Sequence, residues 1–445
     1  MAFIKQPLLD GELDKILGQM SAAPQVEAMG FSLAASRDLI TFENHPLYRQ
    51  LLFKRSVGFK LRLQDPHHRV HDGAAGATTS IHGVERINFA SYDYLNLNRD
   101  PRIQDAVEQA GRIFGTSVSA SRMTAGERWV HGALEGALAR VYEAEAALAF
   151  VSGHGGIVST LATLMGPRDL ILYDAFSHNC IVLGAKLSGA ARRSYPHNNI
   201  NVIEDILTVE RDRFERVLIV CEGLFSMDGD GPDLPQLIAL KKRHAAILMV
   251  DDAHGLGVLG ARGRGIFEHQ GVNPGDVDIW VGTLSKALVS CGGYVAGSGV
   301  VVDLLKHHAP GFVYSVGLPA GAAVAATTAL DIMLSEPERV GALQARSRQF
   351  HDRLRSRGIN IGASWGYGIL PVIVGDPLRA VELSQRLFLR NINTFPVLPP
   401  GVPEGSARIR FFISAAHAEE QIDQAVEILA EEMSAMCGLP LASRE

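Results

Sequence analysis

Six short apolar runs, residues 147–151, 170–173, 217–221, 246–250, 279–281 and 293–296, alternate with helical patterns over about 240 residues of the chain. Most of these runs have no polar position on either face. A strand apolar on both faces has to lie between two layers of helix, because a sheet with one wet face would alternate in polarity. The pattern therefore predicts an α/β domain with a parallel or mostly parallel sheet covered on both sides. A turn-rich stretch at 71–76 precedes it. After residues 334–337 the pattern shifts to longer helices with fewer strands, 369–374 and 408–413 among them, which predicts a smaller α+β domain at the C-terminal end. The expected division is an N-terminal extension over 1–75, a large domain over 76–335 and a small domain over 336–445.

The extension opens with an apolar stripe at roughly helical spacing (Ile4, Leu8, Leu9, Leu13, Ile16, Leu17, Met20). A basic stretch follows with Arg49, Lys54, Arg55, Lys60, Arg62 and Arg69. Such a segment can pack on the body or on a second subunit, or dock on a membrane surface or an acidic partner. Composition narrows the rest. With 47% hydrophobic and 20% charged residues the 445-residue chain can bury a large core, and a formal charge of −6 gives no overall drive toward nucleic acid. Residues 316–329 are uncharged and rich in small side chains, but the run is shorter than the ~20 residues needed to span a bilayer, so a buried helix is expected there. Cys180, Cys221, Cys291 and Cys437 form no Cys-x-x-Cys pair, which points to reduced thiols and away from a zinc site or a disulfide framework. The N-terminus lacks a basic region followed by a long apolar run, so a cytoplasmic protein is expected.

Three segments carry candidate chemistry. Asp251, Asp252 and His254 lie just past the apolar run 246–250, where ligands bind in open α/β sheets, at the carboxyl ends of strands. Lys286 closes the segment Gly282-Thr283-Leu284-Ser285-Lys286 beyond another run and is either a surface lysine or an amine held for covalent catalysis. Ser152-Gly153-His154-Gly155-Gly156 follows a strand and opens a helical pattern, which presents backbone N–H groups to a phosphate. A lysine, an aspartate and a phosphate loop together fit pyridoxal phosphate (PLP), whose aldehyde, ring nitrogen and phosphate each need a partner. Gly255, Gly257 and Gly260 match a G-x-G-x-x-G pattern. They lie beyond Asp251-Asp252-Ala253-His254 and run into Ala261-Arg262-Gly263-Arg264-Gly265, where a dinucleotide fold would start a helix, so that reading is set aside.

Between about Ile87 and Leu429 the chain resembles the α-oxoamine synthases, PLP enzymes of the type I aminotransferase fold. The segments that carry the likeness are Asn88-Phe89-Ala90-Ser91-Tyr92-Asp93-Tyr94-Leu95, Glu222-Gly223-Leu224-Phe225-Ser226-Met227-Asp228-Gly229-Asp230, Asp251-Asp252-Ala253-His254 and Gly282-Thr283-Leu284-Ser285-Lys286. The resemblance implies that Lys286 holds the cofactor and later removes the substrate α-proton, that Asp251 pairs with the ring nitrogen, and that His178 stacks on the ring. It places His254 and Ser226 near the ring hydroxyl. Phosphate contacts would come from Gly153, His154 and Thr283, with Ser315 reaching over from a second subunit of a homodimer. Arg410 would bind the amino acid carboxylate, for which a guanidinium fork is suited. Asp93 and His131 are further substrate-side candidates; His131 reads equally as a structural histidine.

The chain departs from the family pattern at three places. His154 stands where many members have an aromatic or apolar residue. Asn96 replaces a usual glycine, and asparagine tolerates positive φ. Leu398 precedes Pro399-Pro400 where many members carry arginine, which leaves open how the substrate carboxylate is held. The expected reaction is condensation of an amino acid with an acyl thioester, coenzyme A or carrier-bound, with loss of carbon dioxide. L-serine with a long-chain acyl group is favoured on the extended N-terminal segment and an apolar lip at Phe395 and Leu398, while alanine or glycine remain alternatives. An aminotransferase, a decarboxylase and a noncatalytic scaffold subunit are the rival classes.

Overall fold

The computed structural model describes residues 41–437, so the apolar stripe at 4–20 lies outside the described residues, as does the side chain of Cys437. The chain divides into two compact units, 1–62 and 63–445. In the first, a helix spans Pro46–Lys60, with proline at its first turn and His45 Nδ1 accepting the Leu47 N–H at 3.2 Å. Arg49, Lys54, Arg55 and Lys60 of the basic stretch lie on this helix.

The second unit opens with a hairpin of β1 (Thr78–Ile81) and β2 (Val84–Asn88). Its large sheet consists of β3 (Ala146–Phe150), β4 (Leu170–Asp174), β5 (Ala191–Tyr195), β6 (Val217–Glu222), β7 (Ile247–Asp251), β8 (Ile279–Thr283) and β9 (Gly293–Gly297). Their order is β3-β9-β8-β7-β6-β4-β5, parallel throughout except that β9 runs against both β3 and β8. Side chains alternate between the two faces, as a strand's period of two requires. Leu148, Leu218, Val220, Met249 and Val281 pack on one face with Ile157, Leu161, Ile181 and Val302 of three helices. Ala147, Ile219, Cys221, Val250 and Trp280 pack on the other with Leu134, Leu237 and Ala326. This is the doubly covered α/β sheet that the apolar runs predict.

The expected buried helix is present as Ala320–Ser335. It starts after Pro319 and runs six residues past the expected end, because its small buried side chains, Ala323, Ala326 and Ala329, continue into Leu330 and Met333. The G-x-G-x-x-G segment forms turns, with Gly257 and Gly260 at φ +79° and +85°, and the next helix, Ile266–Gln270, is five residues long. A side chain at Gly255 or Gly265 would collide with the Asp252 carboxylate, so those glycines are required by close packing around Asp252.

Beyond residue 336, β10 (Ile369–Gly375), β11 (Ile392–Asn393), β12 (Phe395–Val397) and β13 (Ala407–Phe412) alternate with helices Pro337–Ser356, Pro377–Leu389 and Glu419–Cys437. β10, β13 and β12 form an antiparallel sheet. β11 pairs in parallel with β2, so the hairpin at 78–88 joins the C-terminal part of the chain and not the large sheet. The break between the two compact units falls at 62, and residues 78–88 pair with β11 in a small sheet. Arg69, the last cation of the basic stretch, lies 4.0 Å over the Phe388 ring and donates to Asn393 Oδ1 at 3.0 Å, so it is used in packing. Among the described residues no helix is long and apolar enough to cross a membrane.

Candidate active site

β6, β7 and β8 end side by side, with Glu222 in register with Asp251 and Asp251 with Val281. This alignment sets two buried carboxylates at the carboxyl edge of the sheet, next to the loop that carries Lys286. The Ala253 N–H donates to Asp251 Oδ1 at 3.0 Å. Burial raises both acids, the Asp251 charge raises Glu222 further, and Lys286 opposes the rise at each. Lys286 keeps some solvent exposure, yet desolvation holds its amine down to about 8 against the upward pull of Asp251 and Glu222. A lysine so depressed has an appreciable neutral fraction near physiological pH, which a nucleophile or base requires.

Around this centre stand two histidines. His178 caps the helix Asn179–Leu187 and its amide N–H donates to Glu222 Oε1 at 2.6 Å. Burial, then Lys286, push its ring down to about 4. The His154 ring meets it edge-on at 6.1 Å. His254 is buried, with Nδ1 2.8 Å from the Tyr94 hydroxyl and its ring parallel to Phe412 at 6.3 Å. Burial, then Lys286 and Arg410, hold its ring below the usual range. Tyr92 covers the same pocket, 6.0 Å from Lys286 Nζ and in edge contact with His254 and Phe412.

Arg410 projects from β13 and donates from Nη1 to the Ser226 carbonyl at 2.8 Å. It lies over the Phe412 ring at 4.6 Å, and its Nε is buried with no protein partner. Arg408, two residues before it on the same strand, donates to Asp228 Oδ1 at 2.7 Å, so both arginines grip the 226–228 loop. An unpaired buried donor on a guanidinium costs free energy unless a ligand meets it, and a carboxylate is the natural match.

Gly153 begins the helix Gly153–Leu164, capped by Ser152 Oγ accepting from the Gly155 N–H at 3.1 Å. A Cβ on Gly153 would sit 3.0 Å from Thr283 Oγ1, so the helix N-terminus and the Thr283 hydroxyl share one corner that only glycine leaves open. That corner fits a phosphate, the carboxylate edge fits a protonated ring nitrogen, and Lys286 fits an aldehyde.

The structure brings Lys286, Asp251, His178, His254, Ser226 and Arg410 into one neighbourhood, with Gly153, His154 and Thr283 beside it. Asp93 has a part in a backbone turn. Both Asp93 carboxylate oxygens accept backbone N–H groups, from Leu97 at 2.8 Å and Asn98 at 3.2 Å, so this residue shapes the turn around Asn96. Asn96 takes φ +54° in that turn, the conformation its side chain tolerates. His131 is fully buried, with Nδ1 accepting the Arg128 N–H at 3.1 Å and Nε2 bonded to the Leu318 carbonyl at 2.7 Å, so both ring nitrogens are engaged within the chain. Ser315 Oγ donates to the Val316 carbonyl at 3.1 Å, and among the described residues it makes no hydrogen bond to Gly153 or Thr283. Sequence reasoning gave no role to Glu222. It lies directly beyond an apolar run, the same signal that singles out Asp251. No sequence signal points to the Tyr94 bond to His254, because the two are 160 residues apart.

Fold and site together define a pyridoxal-phosphate enzyme, and the chain belongs to the family described as Aminotransferase class I and II, which matches residues 84–429. Within that family it stands among the α-oxoamine synthases. It is 37% identical over 357 residues to the 8-amino-7-oxononanoate synthase of Treponema denticola, covering 80% of this chain and 90% of that one. It is 38% identical over 351 residues to the 8-amino-7-oxononanoate synthase of Symbiobacterium thermophilum, covering 79% and 89%. Among solved structures it is similar to the serine palmitoyltransferase of Sphingomonas wittichii, with a TM-score of 0.84 and 30% identity over 89% of this chain and 99% of that one.

Proposed function

We propose that this enzyme condenses an amino acid with an acyl thioester, releasing carbon dioxide and a thiol and leaving an α-amino ketone. The carrying observation is the depressed amine of Lys286 set against the Asp251 and Glu222 carboxylates, with the unpartnered Nε of Arg410 in the same neighbourhood. When bound, PLP supplies an acceptor for the electron pair left at the substrate α-carbon. Gly153, His154 and Thr283 would hold its phosphate, with Ser315 contributed by a second subunit of a homodimer. Asp251 would keep its ring nitrogen protonated. Arg410 holds the amino acid carboxylate and so orients the α-hydrogen. The neutral amine of Lys286 takes that proton and returns one at the end. The low basicity of His178 and His254 keeps both rings neutral near pH 7, so they add no competing charge beside Lys286.

Two amino donors are supported by different observations. L-serine with a long-chain acyl group follows the structural likeness to a serine palmitoyltransferase. Alanine, with the acyl group of an 8-amino-7-oxononanoate synthase, follows the sequence relatives. Visible absorbance of the purified protein, followed during titration with serine, alanine and glycine and then addition of palmitoyl or pimeloyl thioester with thiol detection, tests the reading. A band shift with one amino acid, then thiol release, supports condensation and names the donor. A bound PLP band that no amino acid perturbs overturns it, and amino-group transfer without thiol release assigns an aminotransferase instead.

A further inference from the structure

His178 precedes the helix Asn179–Leu187 with its backbone extended and its ring folded back over the first turn. Glu222 fixes its main chain by accepting the amide N–H. Its ring is fixed by Cys180. Nδ1 accepts the Cys180 amide N–H at 3.4 Å and lies 2.9 Å from the Cys180 Sγ. An amide N–H can only donate, so this contact favours a bare Nδ1, but at 3.4 Å it is long and does not hold the tautomer without the thiol. Cys180 is buried, and burial keeps its sulfur in the thiol form, so the S–H is a second donor to the same lone pair. A neutral imidazole whose Nδ1 is bare has its proton on Nε2. Among the described residues no hydrogen bond engages that Nε2.

We propose that Cys180 and Glu222 are positioning residues that lock His178 in the Nε2–H tautomer, so that the site presents a hydrogen-bond donor at this place. A donor there would meet a carbonyl or carboxylate oxygen of the substrate and stabilise charge that develops on it; the opposite tautomer would present a lone pair and repel it. Glu222 sets where the ring stands and Cys180 sets which nitrogen bears the proton. The inference rests on reading His178 as a site residue, but the tautomer itself does not depend on the reaction.

Nitrogen NMR of the full chain labelled with 15N-histidine reads the tautomer directly, with the His178 signals assigned by their loss in His178→Gln. The wild type should show a bare Nδ1 and a protonated Nε2. Cys180→Ser, which retains a donor, should keep that pattern. Cys180→Ala should let the Nδ1–H form appear and lower kcat about ten-fold with KM for the amino acid little changed. A wild-type ring protonated on Nδ1 overturns the proposal, and the wild-type spectrum decides this whether or not a variant folds. A Cys180→Ala spectrum identical to wild type removes Cys180 from the lock and also overturns it. An Nε2–H ring in a protein that releases no thiol from any thioester supports the tautomer assignment while refuting the condensation.

Discussion

At Arg410 one guanidinium nitrogen is bound to the Ser226 carbonyl while the buried Nε has no protein partner. Arg410→Lys removes the fork, and a point charge on a flexible stem cannot satisfy both sides. A lost hydrogen bond to a charged group is worth about 1.5–3 kcal/mol, so KM for the amino acid should rise roughly ten- to hundred-fold in steady-state kinetics. Lys286→Ala should abolish turnover, and appreciable residual activity would remove Lys286 from its role. A different residue governs pH. His197 lies between Asp174 and Asp230, each 2.9 Å from one ring nitrogen, and although burial lowers its pKa, the two carboxylates carry it up to about 10. Because the folded value exceeds the ordinary one near 6.5, this charge stabilises fully below that pH and its contribution fades as pH rises through about 10. The urea midpoint should therefore fall more between pH 7 and 10 in the wild type than in His197→Gln. Nothing in the sequence marked His197, since its partners are 23 and 33 residues away. Asp251 stood out because it follows an apolar run directly, whereas Lys286 and His254 lie four or five residues past their runs and drew their roles from the family resemblance. Asp93 lies in a motif too, but a motif shows that a residue is needed without showing whether for substrate or for the turn that its carboxylate holds.

The strands of the large sheet were legible where both faces are buried. β6 is buried at every position, and the run 217–221 announced it. β5 was not expected. Its sequence, Ala191-Arg-Arg-Ser-Tyr195, has three polar residues in a row, and its exposure alternates at 192 and 194 because it is an edge strand, paired only to β4. Helix Ala320–Ser335 packs against helices Pro101–Phe114 and Trp129–Val141 through side chains no larger than alanine at 323, 326 and 329. Such close approach leaves no room for growth. Ala326→Leu should cost about 1–3 kcal/mol in urea unfolding, with the secondary structure seen by circular dichroism unchanged below the transition.

Across the whole molecule, the sequence conveyed the succession of a large α/β part and a smaller C-terminal part, but not that β2 crosses between them. Pairing of β2 with β11 leaves no trace in local pattern, because each is short and the partner strand is remote. The site draws on the same distant segments, Tyr92 and Tyr94 beyond β2, the ends of β6 to β8, and Arg410 on β13. A ligand held by all of them stabilises the folded state alone. At a free PLP concentration a hundred times its Kd the gain is about 2.7 kcal/mol, so thermal unfolding of the wild type should shift upward on adding PLP, and less in Lys286→Ala.

The buried Asn393 Nδ2 donates to Asn88 Oδ1 at 2.9 Å across 305 residues of sequence, and the Asn88 Nδ2 in turn donates to the Gly76 carbonyl at 2.8 Å. During synthesis the hairpin leaves the ribosome long before the strand that completes it. At about 5–20 residues per second the wait is roughly 15 to 60 s, through which β2 offers an unpaired edge to any other nascent chain. The hairpin is therefore a segment on which chaperones would have occasion to act, and its closure waits for the arrival of β11, more than 300 residues later.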